Sequence, residues 1–279
     1  MAAPILVTGG TGTLGRLLVP KLVASGRPVR VLSRRGGTSH GGTSHRGTWH
    51  GGTSHRGTSH GAVELVTGDL ATGKGIAAAV DGAETVVHLA GSSKGDEEKA
   101  RNLVRAATGV RHLVFISVVG ADRVPVTGPV DRAMFGYFAS KLAAERVVAE
   151  SGIPWTTLRA TQFFDLLLTV AGQLARLPVI PVPAGFSFQP IDADEVATRL
   201  AALTPGPAAG LVADVAGPRA YGMDELVGCY LQARGLRRRM VHVPLPGRAA
   251  RAVRQGAVLA PEHAVGRRTW EEFLTERLR

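Results

Sequence analysis

The sequence predicts an α/β protein built on a doubly wound parallel sheet, with a smaller and less regular C-terminal lobe. Three observations carry this. Short β-branched runs alternate with helix-period segments over the first 160 residues. The first run ends in a cluster of glycines that opens a helix. Beyond Ala160 prolines become frequent and the alternation loosens.

The elements follow in order. Pro4-Ile5-Leu6-Val7-Thr8 reads as a buried strand, and Gly9 to Gly15 as a loop. Leu17, Leu18, Val19, Leu22 and Val23 then recur at helical spacing, and Gly26 closes that helix. Residues 28–32 form a second strand and complete a βαβ unit. Residues 63–66 form a third strand, 76–80 a helix, 85–89 a fourth strand and 96–107 a helix with Leu103 and Val104 inward. Residues 112–116 form a fifth strand followed by Ser117, 137–150 a long helix and 155–159 a sixth strand. Residues 1–160 are expected to form the core domain. Residues 161–279 are expected to form mostly a lobe over the carboxyl ends of the strands, with some elements returning to the core.

Residues 36–60 break the pattern with five pentads in register, GGTSH, GGTSH, RGTWH, GGTSH and RGTSH. Trp49 is their one large apolar residue, so the segment cannot bury a core and reads as a flexible insertion. The competing reading is a metal site made of His40, His45, His50, His55 and His60. An i, i+5 spacing on a mobile chain fixes no coordination geometry, so no metal is expected.

Composition excludes several classes. Hydrophobic residues are 44% and charged residues 20%, which rules out a disordered chain and a coiled coil. No apolar run reaches 18 residues, so no membrane span is expected. The start of the chain lacks a signal-peptide pattern, and a single cysteine, Cys229, fits a reducing cytoplasm. The net charge is +11, and residues 231–279 hold eleven arginines against four glutamates. Arg237-Arg238-Arg239 reads as a solvated turn. No DNA-reading motif or aromatic platform accompanies the charge, so nucleic acid is not the expected partner.

Chemistry concentrates in Gly9-Gly10-Thr11-Gly12-Thr13-Leu14-Gly15, a G-x-x-G-x-x-G loop between a strand and a helix. One glycine permits the turn, another lets the backbone approach a pyrophosphate, and the last lets helix pack on strand. The helix N-terminus offers free N–H groups to the phosphates. The loop therefore predicts a bound dinucleotide. An NAD site usually has a carboxylate about 20 residues on, for the ribose 2′-hydroxyl. Ser33, Arg34 and Arg35 stand there instead, and a guanidinium matches a 2′-phosphate, so NADP(H) is expected.

Tyr137 and Lys141 form Y-x-x-x-K. Residues i and i+4 share a helix face. An ammonium beside a phenol would favour the phenolate and lower its pKa, suiting Tyr137 to acid–base work on a carbonyl oxygen. Ser117 is the candidate hydroxyl for the same oxygen. His88, inside an apolar strand, reads as a core residue, and Cys229 has no motif of a nucleophile. Gln189, Asp192 and Asp194 read as shaping a loop and a helix start.

TGGTGTLG at 8–15, GDL at 68–70, VVHLAG at 86–91, FISVVGAD at 115–122, YFASK at 137–141 and LRATQFFD at 158–165 together resemble the extended and atypical short-chain dehydrogenase/reductases. The NmrA-like NAD(P)H-binding subgroup is most similar. The resemblance implies a Rossmann-type fold. It implies that Asp69 and Leu70 hold the adenine and that Ala90 and Gly91 pass under the ribose and pyrophosphate. Lys141 would bond the nicotinamide ribose, and Ala160, Thr161, Gln162 and Phe163 would lie near the nicotinamide. It implies an NADPH-dependent reductase of a ketone, enone or quinone, working as a monomer or homodimer. The alternative the subgroup implies is a non-catalytic NADP(H)-sensing regulator. The family's hydroxyl often sits one or two positions beyond Ser117, where this chain has Val118 and Val119.

Overall fold

The computed structural model describes residues 2–34, 63–92 and 95–278. The pentads of 36–60 and Arg35 lie outside the described residues. Strand β1 (Ile5–Thr8) is followed by helix α1 (Thr13–Ala24) and strands β2 (Val29–Ser33) and β3 (Val63–Thr67). Then come α2 (Ile76–Val80), β4 (Thr85–His88), α3 (Asp96–Ala106), β5 (His112–Val118), α4 (Pro129–Ala149) and β6 (Trp155–Ala160).

These strands pair only in parallel. Among the described residues the sheet has seven strands, in the order β3-β2-β1-β4-β5-β6-β9, where β9 is Gly210–Leu211. The order reverses between β1 and β4, and open α/β sheets bind ligands outside the carboxyl ends of the strands at such a point. The alternation of the buried strands explains the two helical layers. Ile5, Val7, Val87, Val114 and Ile116 point to one face, where Leu18 and Leu22 of α1 meet Val196 and Leu200 of α6 (Ala193–Leu203). Leu6, Val86, Leu113 and Phe115 point to the other, against Ile76, Leu103, Ala144 and Val148 of α2, α3 and α4. Each such leucine, fully buried, contributes on the order of 1.5–3 kcal/mol.

The remaining elements build a second core. They are α5 (Phe164–Leu174), β7 (Val179–Pro183), β8 (Ser187–Phe188), β10 (Tyr221–Gly222), α7 (Met223–Ala233), β11 (Arg239–Val243), α8 (Arg248–Arg254) and α9 (Trp270–Arg277). Trp270 is fully buried at its centre, in a three-ring cluster with Phe164 and Phe273, and its indole N–H donates to the Leu226 carbonyl at 3.0 Å. This lobe meets the sheet at its carboxyl edge. Gly120, two residues past β5 and at φ 93°, lies so close to Ala257 that a Cβ would come within 2.6 Å of its carbonyl oxygen. Asp192 caps α6 by accepting the Asp194 amide at 2.9 Å, and Asp194 reaches Lys21 of α1 at 2.9 Å. Gln189 bridges Gly217 and Ala260 through both ends of its amide.

Three expectations are corrected. A seventh strand, β9, joins the sheet; at two residues it carries no period of its own. Helix α4 begins at Pro129 rather than Tyr137. Proline is suited to the first helical position, and the Asp131 carboxylate accepts from the Thr127 hydroxyl at 3.2 Å to fix the start. Ser117 does not follow β5 but stands within it. Among the described residues no helix is long and apolar enough to cross a membrane.

Candidate active site

The cleft at the β1/β4 switch point has a volume of about 660 Å³. Its floor is the glycine loop. Gly9 takes φ 72°, and a Cβ there would lie 2.7 Å from the Ala90 amide nitrogen. Gly12 is the N-cap of α1, with no side-chain cap bond. The first-turn amides of a twelve-residue helix are thus left to a ligand. Of the residues singled out in the sequence, Gly9, Thr11, Gly12, Ser33, Arg34, Asp69, Leu70, Ala90 and Gly91 line this cleft. Thr13, Leu14 and Gly15 form the first turn of α1, the last two buried against the sheet. Asp69 is held in its turn by the Ala71 amide at 2.9 Å, and Leu70 is packed beneath α3, where Asn102 holds its carbonyl at 2.9 Å.

Ser92, Glu98 and Lys99 also line the cleft, and sequence reading did not find them. Their signal was weak, because S-S-K-G-D-E-E-K reads as an ordinary charged helix start. Arg237, Arg238 and Arg239 do not belong here; with Arg176 and Pro178 they line a shallow concavity of about 550 Å³ on the lobe.

The tyrosine–lysine pair stands next to the cleft. Lys141 is 3% exposed, and its ammonium nitrogen would be 2.8 Å from a Cβ on Gly91. It donates to the Ile116 carbonyl at 3.3 Å and lies 3.2 Å from Asp96 Oδ2. It sits 5.1 Å over the Phe115 ring and 5.9 Å from the Tyr137 ring centre. The expected activation of Tyr137 by Lys141 is corrected. Tyr137 is 38% exposed, so its desolvation is partial; that desolvation, then the negative charge of Asp96, pushes the phenol up from its ordinary value rather than down. The lysine's charge is already engaged by Asp96, so the phenol gains little from it. Burial itself pushes Lys141 down, and Asp96 opposes that.

Unpaired polar atoms gather at the ends of β5 and β6. Ser117 Oγ, Thr161 Oγ1 and both amide atoms of Gln162 are buried without a hydrogen-bond partner among the described residues. Ala160 ends β6, and Phe163 bridges to Ile191 at the base of the lobe. None of Ser117, Thr161 and Gln162 lines the cleft, nor do Tyr137, Lys141, Ala160 and Phe163. Buried polar groups are nearly always satisfied, so such a cluster at the carboxyl ends of the strands is a place for ligand atoms. His88 is a core residue: its Nδ1 meets the Thr8 hydroxyl at 2.7 Å, its ring stacks on Phe115, and burial pushes it down to about 3.

A parallel sheet with a glycine loop, an uncapped helix N-terminus and a switch-point cleft defines a dinucleotide-binding protein of Rossmann type. Comparison with known proteins agrees. Residues 50–173 match the model of an NAD(P)H-binding family. The chain is 30% identical over 261 residues to a ceramide reductase from Caulobacter vibrioides, covering 87% of this chain and 74% of that one. It is 29% identical over 225 residues to a (4-alkanoyl-5-oxo-2,5-dihydrofuran-3-yl)methyl phosphate reductase from Streptomyces griseus, covering 79% and 70%. Among solved structures, an NADPH-dependent quinone oxidoreductase from Escherichia coli, determined with NADPH, superposes with a TM-score of 0.73. It covers 99% of this chain and all of its own, at 17% identity. The chain belongs to an NAD(P)H-binding family whose similar proteins are reductases.

Proposed function

We propose that this protein is an NADPH-dependent reductase of a ketone, enone or quinone-type small molecule. The observation that carries the reading is the junction of two features at Gly91. The dinucleotide cleft runs over its backbone, and the Lys141 ammonium lies directly beneath it, one helical turn from Tyr137.

The residues fit the cofactor. Gly9, Thr11, Gly12 and the first turn of α1 (Thr13, Leu14, Gly15) would hold the pyrophosphate. Arg34 would take the 2′-phosphate, with Ser33 beside it. Asp69 and Leu70 would hold the adenine, Ala90 and Gly91 would underlie the ribose and pyrophosphate, and Lys141 would bond the nicotinamide ribose. Ala160 and Phe163 would bound the nicotinamide end. When bound, the cofactor supplies hydride. The protein's part is to orient, to exclude water and to move one proton. Tyr137 would donate its phenolic proton to the substrate oxygen. A phenol is protonated at neutral pH, which is the form a reduction requires. Ser117, with no partner among the described residues, would donate its hydroxyl hydrogen to the same oxygen.

The test is NADPH oxidation against a panel of ketones, enones and quinones, with Tyr137→Phe beside the parent. Turnover that falls by about two orders of magnitude in the variant is expected, the range of general acid catalysis. Equal turnover in both would remove Tyr137 from the reaction. Tight NADPH binding with no turnover across the panel would replace the reading by that of a cofactor-sensing protein.

A further inference from the structure

We propose that Asp96 is a positioning residue for the tyrosine–lysine pair: its buried carboxylate pins the Lys141 ammonium under Gly91. The inference rests on the reading of Tyr137 as proton donor.

Asp96 is the first residue of α3 and is fully buried. Its two carboxylate oxygens have separate tasks. Oδ1 accepts the Ser92 amide at 2.8 Å and the Lys99 ammonium at 3.1 Å. Both contacts come from residues that line the cleft, so the carboxylate is anchored to the cofactor side. Oδ2 faces Lys141 Nζ at 3.2 Å and has no hydrogen-bond partner among the described residues. The backbone closes the arrangement: the Asp96 amide donates to the hydroxyl of Ser140, the neighbour of Lys141 on α4, at 3.2 Å. The start of α3 and the middle of α4 are therefore locked to each other on both sides of the lysine.

The consequence follows from charge balance. A buried ammonium whose other contacts are one carbonyl and an aromatic face would shed its proton easily. Asp96 is what opposes that for Lys141. The same charge repels a phenolate at Tyr137. Among the described residues, the ionisable groups facing the pair are Asp96 and Lys99 from α3, Glu145 from α4 and His88 from β4. His88 is held neutral by burial, so it adds no charge. Asp96 therefore sets the pair for giving a proton to a substrate oxygen rather than for removing one from an alcohol.

The test is a titration of Tyr137 in the cofactor-free protein, so its failure is separable from failure of the turnover assay. Phenolate absorption is followed in the parent and in Asp96→Asn, and Tyr137→Phe in each background subtracts Tyr221 and Tyr230. Asparagine keeps an acceptor for the Ser92 amide and removes the charge. The expected result is a several-fold rise of the Tyr137 phenolate signal near pH 10 in Asp96→Asn, a downward shift of roughly half a unit to one unit. A far-UV circular dichroism spectrum and a cooperative thermal melt like the parent's report that the variant is folded. An unchanged Tyr137 titration in that folded variant overturns the proposal. Should the variant fail to fold, the parent decides by itself. No Tyr137 ionisation is expected below about pH 10, the ordinary range for tyrosine. A Tyr137 that ionises at lower pH overturns the proposal.

Discussion

Gly15 packs directly on the carbonyl oxygen of Gly9, and no side chain fits between helix α1 and the loop before it. A Cβ at Gly15 would overlap that oxygen and lie 2.6 Å from the Gly10 carbonyl carbon. Both obstacles are backbone, so neither can swing aside. Gly15→Ala is expected to lower stability by about 1–3 kcal/mol or more, the cost of overpacking, and to lower NADPH affinity at least tenfold. Gly12 differs. A Cβ there meets only the Gly9 oxygen, at 3.3 Å, and points into the cleft region. Gly12→Ala is expected to melt close to the parent and still bind NADPH more weakly. Thermal melts and cofactor titrations on both variants check the contrast; equal behaviour of the two would contradict it.

The sheet was largely legible because its strands are buried on both faces and read as short apolar runs between glycine turns. The runs at 5–8, 85–88 and 112–118 contain almost nothing but apolar and β-branched residues. What escaped reading had no pattern to read. The N-terminal turns of α4 expose Val130 and Met134, so no amphipathic stripe marks them. The cofactor loop was legible because glycine is required there for stated geometric reasons. Asp96 was not, since a carboxylate at a helix start is ordinary, and only the fold reveals that this one is buried against a lysine 45 residues away.

Arg159 joins three elements in one buried fork. Its guanidinium is bidentate to Glu145 of α4 at 2.9 and 2.7 Å and reaches Asp122, beyond β5, at 2.8 Å. The Glu145 side chain is 11% exposed, so removing the arginine strands a buried charge. Arg159→Met is expected to cost about 3–5 kcal/mol in urea unfolding. The double variant Arg159→Met, Glu145→Met should recover most of that, because the one carboxylate then left without its partner, Asp122, has a side chain 46% exposed to water. A double variant no more stable than the single one would show that the pair acts through shape rather than charge.

His88 makes stability depend on mild acid. Burial, with the nearby Lys141, pushes its pKa from 6.5 down to about 3. Below about pH 6.5 the unfolded chain binds a proton at this position that the folded protein refuses. The His88 contribution is therefore complete above about pH 6.5 and is lost as pH falls toward about 3. The loss is about 1.4 kcal/mol per pH unit. His112, also pushed down by burial, acts in the same direction. Unfolding free energies between about pH 7 and 4.5 should fall more steeply in the parent than in His88→Asn, by up to that slope. Parallel curves would mean that His88 titrates alike in both states.

Arg34 is expected to decide between the two nicotinamide cofactors. It follows the last residue of β2, is exposed, and lines the cleft beside Ser33, where an NAD site would present a carboxylate. A guanidinium at that place forms charge-assisted bonds with a 2′-phosphate, worth about 1.5–3 kcal/mol, and gains little from a 2′-hydroxyl. Arg34→Ala is therefore expected to weaken NADPH binding by roughly 10- to 100-fold while NADH binding changes by less than about threefold. Because the contact is ionic, the NADPH preference of the parent should shrink as salt rises and that of the variant should not. Fluorescence titrations with both cofactors at two salt concentrations check this. Equal losses for NADPH and NADH would assign Arg34 to the shape of the cleft and leave the 2′-phosphate to another residue.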